Sequence, residues 1–266
     1  SWQRGRPLDD SDGGRMITAR PRLMAGPMVR STIDGIKTQT RRIVKPQPFL
    51  DAMGNFCTPG KPGRSYACWG QHIDGSPCTR NFTKSRCPYG KSRDLLWVKE
   101  TWAVGKCADG LKPRELSRRC WIYENGGLWY EGQEPTHPIS PRGAPRSSMF
   151  MPRWASRLTL ELTDVRVERL QDISEEDAEA EGIEYAIRPF GDWKLIPGIW
   201  DFEGLVNDGE QRCDPPPAIK YAYLWNSINA KAGTRWADNP WVWVLTFAVH
   251  HANVDAVLAQ RAEVAA

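Results

Sequence analysis

Six consecutive residues, Lys37-Thr38-Gln39-Thr40-Arg41-Arg42, carry one amine, two hydroxyls and two guanidinium groups. The guanidinium forks suit a phosphate, a base edge or a carboxylate partner. A solvated basic turn accounts for the same composition, and Arg41 in particular reads as solvated. The second chemistry-bearing run is acidic: Ser174 is followed by Glu175, Glu176, Asp177, Glu179 and Glu181. Glu181 falls in the last turn of that predicted helix, where the negative end of the helix dipole disfavours a carboxylate by several tenths of a kcal/mol, roughly 0.3–1. A solvated acidic face explains it equally well. The third cluster is Cys57, Cys68, Cys78 and Cys87, spaced 11, 10 and 9 apart, with His72 among them. Structural zinc sites use knuckles of closely spaced cysteines, and no such pair occurs here, so no metal ligand is assigned. With seven cysteines, an odd number, free thiols are the expectation.

The elements that must hold these groups are mostly strands. The basic run follows a predicted helix over 27–34, opened by Pro27 at a first-turn position and stopped by Gly35. Strands are predicted over 95–104, 158–167 and 241–249. The second places Leu158, Leu160 and Leu162 on one face, and the third is apolar on both. Asn125-Gly126 marks a hairpin over 121–130. The acidic helix, 175–181, has Ser174 as N-cap and Gly182 as its stop, and a second helix starts at Pro217 and ends near residue 230. Gly- and Pro-rich stretches at about 44–93 and 184–216 read as irregular surface insertions. Residues 1–15 read as a disordered lead-in, with Met16 a natural start, 16–250 as a single domain, and 251–266 as a tail. Short strands with few helices predict a mainly β fold, a small barrel with long irregular insertions. Thirteen Trp suit an aromatic-rich core.

The basic loop resembles the Gly-x-Lys-Thr-x-Thr/Glu-x-Arg segment of the ASCH domain family, matched by Gly35, Lys37, Thr38, Thr40 and Arg42. Arg93-Asp94-Leu95-Leu96-Trp97-Val98 is similar to a further family strand, with Arg93 in place of glycine. Leu170 to Ile183 is similar to its acidic helix, and Trp241 to Phe247 to its closing strand. The runs Met151-Pro152-Arg153-Trp154-Ala155-Ser156-Arg157 and Asn239 to Val244 resemble longer, phage- and prophage-type members. The resemblance implies a PUA-like barrel and one of two functions. One is metal-independent, cofactor-free removal of the acetyl group from N4-acetylcytidine. The other is RNA or DNA binding without catalysis.

For the hydrolase, the resemblance implies Lys37, Thr40 and Glu181 as the working group. Elementary chemistry agrees: Thr40 can serve as nucleophile, Lys37 as its base, because burial shifts an amine toward the neutral form, and Glu181 as orienter or proton shuttle to the leaving amine. Thr38, Arg42 and Trp97 are expected to contact substrate, although core packing is the stronger reading of Trp97. A formal charge of +4 fits a small-molecule nucleoside substrate with weak RNA binding. No apolar run approaches the roughly 18 residues of a membrane span, and no secretory signal is legible, so a cytoplasmic location is expected.

Overall fold

The computed structural model describes residues 17–60, 67–70, 79–116, 128–130, 141–183 and 216–265. The lead-in 1–15, the Asn125-Gly126 turn, nearly all of the 184–216 insertion and Cys78 lie outside the described residues.

The longest strand, β9 (Thr159–Arg169), shows how the sequence sets the sheet. Its core residues are Leu160 and Leu162, then Val165 and Val167, so the alternation changes phase midway. A register shift between Thr246 and Phe247 of the partner strand β10 (Trp241–His250) falls at that phase change. The irregularity lets all four side chains join one apolar cluster. β10 also pairs antiparallel with β2 (Gln39–Ile43), and β9 with β6 (Leu95–Lys99). β6 in turn runs parallel to β1 (Ala19–Leu23), which periodicity had left unassigned. The order is β1-β6-β9-β10-β2, and among the described residues this ladder is open, with β1 and β2 as its edges. The fold is mainly β with a few helices.

Each face of the sheet is covered. On one side Leu96, Val98, Leu160, Val167, Trp243 and Leu245 form the largest core, under α1 (Gly26–Ile33). On the other, Val242 and Val244 pack with Tyr221 and Trp225 beneath α3 (Glu175–Ala180) and α4 (Pro217–Ile228). Burial on both sides explains why the sequence of β10 is apolar throughout.

Parts of the 44–93 insertion are ordered. It contributes β3 (Phe49–Leu50), β4 (Phe56–Thr58) and β5 (Ala67–Cys68), paired as a small antiparallel sheet, and α2 (Thr79–Arg86). Phe82 stacks on Trp243 at 5.1 Å and Phe56 meets Trp241 edge-on at 5.0 Å, so two rings pin this segment to the main core. Cys57 and Cys68 face each other across β4 and β5 with Cα atoms 4.2 Å apart and form a disulfide, which corrects the expectation of free thiols at these two positions.

The predicted strand over 95–104 divides into β6 and β7 (Trp102–Val104), which pairs with β8 (Leu128–Tyr130). Between β6 and β7 lies Glu100, fully buried, gripped at 2.9 and 2.8 Å by Nε and Nη2 of Arg157. A buried carboxylate is tolerable only with such a fork, so the Met151–Arg157 motif serves here to close this junction. The predicted tail contains α5 (Val254–Ala265), whose Val254 and Val257 cover Leu95 and Trp97. Among the described residues no helix is long and apolar enough to cross a membrane.

Candidate active site

The loop between α1 and β2 is held from both sides. The amides of Ile36 and Lys37 donate to Ser31 O at 3.0 Å, and the amide of Thr38 donates to Ala180 O at the end of α3 at 2.9 Å. Two glycines permit this junction. Gly35 leaves α1 with φ +75°, and Gly182 leaves α3 with φ +74°. A Cβ on Gly182 would lie 2.2 Å from Ser31 Oγ and 3.0 Å from Lys37 Cβ, so only glycine lets the end of α3 approach this closely. Ser174 caps the start of α3 by accepting the Asp177 amide at 3.1 Å, as its sequence predicts.

Lys37 and Glu181 therefore meet although 144 positions separate them. Lys37 Nζ donates to Glu181 Oε2 at 2.8 Å, to Glu181 O at 2.7 Å and to Gln39 O at 2.8 Å. All three ammonium hydrogens have acceptors, and both side chains are buried. Thr38 O accepts the Phe247 amide of β10, so the next carbonyl along the strand, Gln39 O, points off the outer edge of β2. The ammonium thus sits at that edge, between the two faces of the sheet.

A larger ionic cluster continues from the pair. Arg41, read from the sequence as solvated, is fully buried, and its Nη2 donates to Asp177 Oδ2 at 2.7 Å. Its Nη1 donates to Gln39 Oε1 and lies 3.6 Å from Glu181 Oε1. Arg166 Nη2 also donates to Asp177 Oδ2, at 2.7 Å, and Arg166 Nε pairs with Glu168. Lys37, Arg41 and Arg166 balance Glu168, Asp177 and Glu181 in charge. Burial alone would raise the Asp177 carboxyl, but Arg166 and Arg41 outweigh it and hold the group below its ordinary value. Tyr221 of α4 donates to Glu181 Oε1 at 3.4 Å. Burial, and then the Glu181 charge, push its hydroxyl well above the usual phenol range. Nothing in the sequence singled out Tyr221, Gln39 or Asp177 for this cluster. The available signal was an acid next to a cap whose side chain the cap does not use.

The other predicted site residues are placed differently. Thr40 pairs with Leu245 and Arg42 with Trp243, so strand alternation turns both toward the largest core, away from Gln39 and Arg41. Lys37 and Glu181 are brought together; Thr40 lies one strand position beyond the edge carbonyl that Lys37 holds, facing the other side. Thr38 is half-buried and contributes backbone bonds on both sides. Trp97 is buried beneath α5, in a cluster separate from Lys37, where core packing accounts for it. Arg93 adopts φ +73°, a left-handed conformation that glycine takes more readily than a residue with a Cβ.

Among the described residues, one group has metal-ligating atoms close together: Asp51, Cys57 and Cys68, with Asp51 Oδ2 3.9 Å from either sulfur. Its sulfurs are joined in the disulfide, and it belongs to the β3–β5 sheet rather than to the Lys37 cluster. Models of protein families, curated proteins and solved structures give no match to the chain.

Proposed function

We propose that this chain is an ASCH-type amidohydrolase on a PUA-like barrel, and that it removes the acyl group from the N4 amine of a modified cytidine without a metal. The observation that carries the reading is the Lys37–Glu181 pair. A buried ion pair is weak as a stabilising device, because desolvation of both charges offsets their attraction. It is well suited to moving a proton across 2.8 Å at the rim of a sheet.

In this mechanism the proton on Lys37 Nζ passes to Glu181 Oε2, leaving a neutral amine beside a protonated acid. The Thr40 hydroxyl attacks the acyl carbon, and its proton is relayed by a water molecule around the edge of β2 to Lys37, because the two side chains do not face each other. Glu181 supplies its proton to the departing N4 amine, and cytidine leaves. Water then attacks the acyl-Thr40 ester, and a carboxylic acid is released. Such proton transfers typically contribute about 10²–10⁴ in rate each. Arg42 shares the Thr40 face and is assigned to substrate.

The test is turnover of N4-acetylcytidine by the full chain after exhaustive chelation, alongside Thr40→Ala and Glu181→Gln. The expected result is metal-independent hydrolysis that falls by on the order of 10² or more in each variant. Hydrolysis that survives in both variants contradicts the assignment. Absence of hydrolysis, with tight RNA binding instead, favours the non-catalytic nucleic-acid module.

A further inference from the structure

The small sheet of β3, β4 and β5 is built from strands of two or three residues. Ladders this short contribute little stability of their own. Yet the sheet carries Phe56, which is fully buried between Phe82 at 5.1 Å and Trp241 at 5.0 Å. The tie that holds it is the bond between Cys57 of β4 and Cys68 of β5. In a reducing compartment such a bond is opened, and the sheet then needs another tie.

Asp51, at the turn between β3 and β4, stands where that tie would form. Its Oδ2 lies 3.9 Å from each sulfur, and the three donor atoms are within 4.8 Å of one another. In a tetrahedral zinc site, with zinc–sulfur at about 2.3 Å and zinc–oxygen at about 2.1 Å, neighbouring ligand atoms stand roughly 3.6–3.8 Å apart. The carboxylate is therefore already near ligand spacing from both sulfurs. It is also held there. Oδ1 accepts the Met53 and Asn55 amides at 2.9 Å, and Oδ2 accepts Asn55 Nδ2 at 2.9 Å. Outer hydrogen bonds of this kind fix the carboxylates that ligate metals. Two thiolates and a carboxylate at this spacing repel one another, and a divalent cation among them turns the repulsion into attraction. Cys57 is buried and Cys68 exposed, so one ligand is anchored in the core while the other faces the solvent from which an ion arrives.

We infer that Cys57, Cys68 and Asp51, once the disulfide is reduced, bind a thiophilic divalent cation such as zinc, with water in the fourth position, and that this ion replaces the disulfide as the tie between β4 and β5. Two electrons and two protons from a dithiol, which leaves as its own disulfide, convert the sulfur–sulfur bond to two thiols. The cation then displaces both thiol protons to solvent, forming two metal–sulfur bonds and one bond to Asp51 Oδ2. Paired thiolates select zinc over magnesium or calcium, which prefer oxygen ligands throughout. The ion ties the insertion together and takes no part in the Lys37 chemistry, so the inference is independent of the proposed hydrolysis.

The experiment reduces the full chain with a dithiol, desalts it without oxygen and titrates it with Co²⁺ and then Zn²⁺. Wild type, Cys68→Ser and Asp51→Asn are compared, with Cys107→Ser as the control. Cys68 and Cys107 are both exposed, so neither substitution disturbs the core. The expected result is a thiolate-to-cobalt charge-transfer band that saturates at a single Co²⁺ per chain and is displaced by Zn²⁺. Zinc should raise the melting temperature of the reduced chain and leave that of the oxidised chain unchanged. The band should persist in Cys107→Ser and vanish in Cys68→Ser, and Asp51→Asn should bind zinc about tenfold or more weakly. A reduced wild type that gives no band overturns the site, as does a band that survives in Cys68→Ser. Zinc affinity unchanged in Asp51→Asn contradicts the three-ligand assignment.

Discussion

Lys37 and Glu181 were legible as chemical candidates from the loop motif and the unfavourable helix position, but their mutual distance was not. It depends on a loop and a helix end 144 positions apart. Arg41 shows the limit more sharply. A basic residue in a basic loop reads as solvated, and only the register of β2 against β10 turns it toward Asp177 and away from water. Asp177 offers a test at this scale. Its folded-state carboxyl lies below its ordinary value of 3.8, so the stability it contributes is fully present above that pH and is lost as pH falls through the lower, folded value. Asp177→Asn should therefore cost about 1–3 kcal/mol in denaturant unfolding near pH 6, with the difference from wild type shrinking below pH 4. A difference that stays constant from pH 6 to pH 3 contradicts the ion-pair account.

Elements with strong end signals were readable from the chain. Pro27 and Gly35 bound α1, and Ser174 and Gly182 bound α3, because capping chemistry is local. β1, α5 and the packed part of the insertion were missed because their placement rests on distant partners. The parallel pairing of β1 needs β6, and the rings of Phe56 and Phe82 need Trp241 and Trp243. Gly182 carries the junction between α3 and the Lys37 loop. Gly182→Ala should destabilise the chain by about 1–3 kcal/mol, since alanine must either hold positive φ or force α3 away from Ser31. It should also depress hydrolysis by more than the stability loss explains, because Glu181 moves with the helix end. Unchanged melting and unchanged turnover would contradict the role given to that close approach.

At the scale of the molecule, packed elements cover both faces of one sheet, and each face carries some of the candidate residues. α5 lies over Leu95 and Trp97, and its Arg261 pairs with Glu161 of β9, which also meets His250 at the end of β10. Val254 and Val257 are buried, and each contributes about 1.5–3 kcal/mol by leaving water. A chain ending at residue 252 should therefore lower the melting temperature and expose Trp97, visible as a red-shifted tryptophan emission. Melting and emission equal to those of the full chain would show that α5 is dispensable.

The central claim is that the buried Lys37–Glu181 pair exists for proton transfer and not for stability. The most direct measurement is a cycle of Lys37→Met, Glu181→Leu and the double variant, with unfolding free energy and N4-acetylcytidine turnover read on all four proteins. Each single variant strands a buried charge and should lose about 3–5 kcal/mol, while the double variant recovers most of that loss. Turnover should fall by on the order of 10² or more in both single variants and remain at that floor in the double. A double variant that regains both stability and hydrolysis would contradict the account, leaving the pair a structural contact.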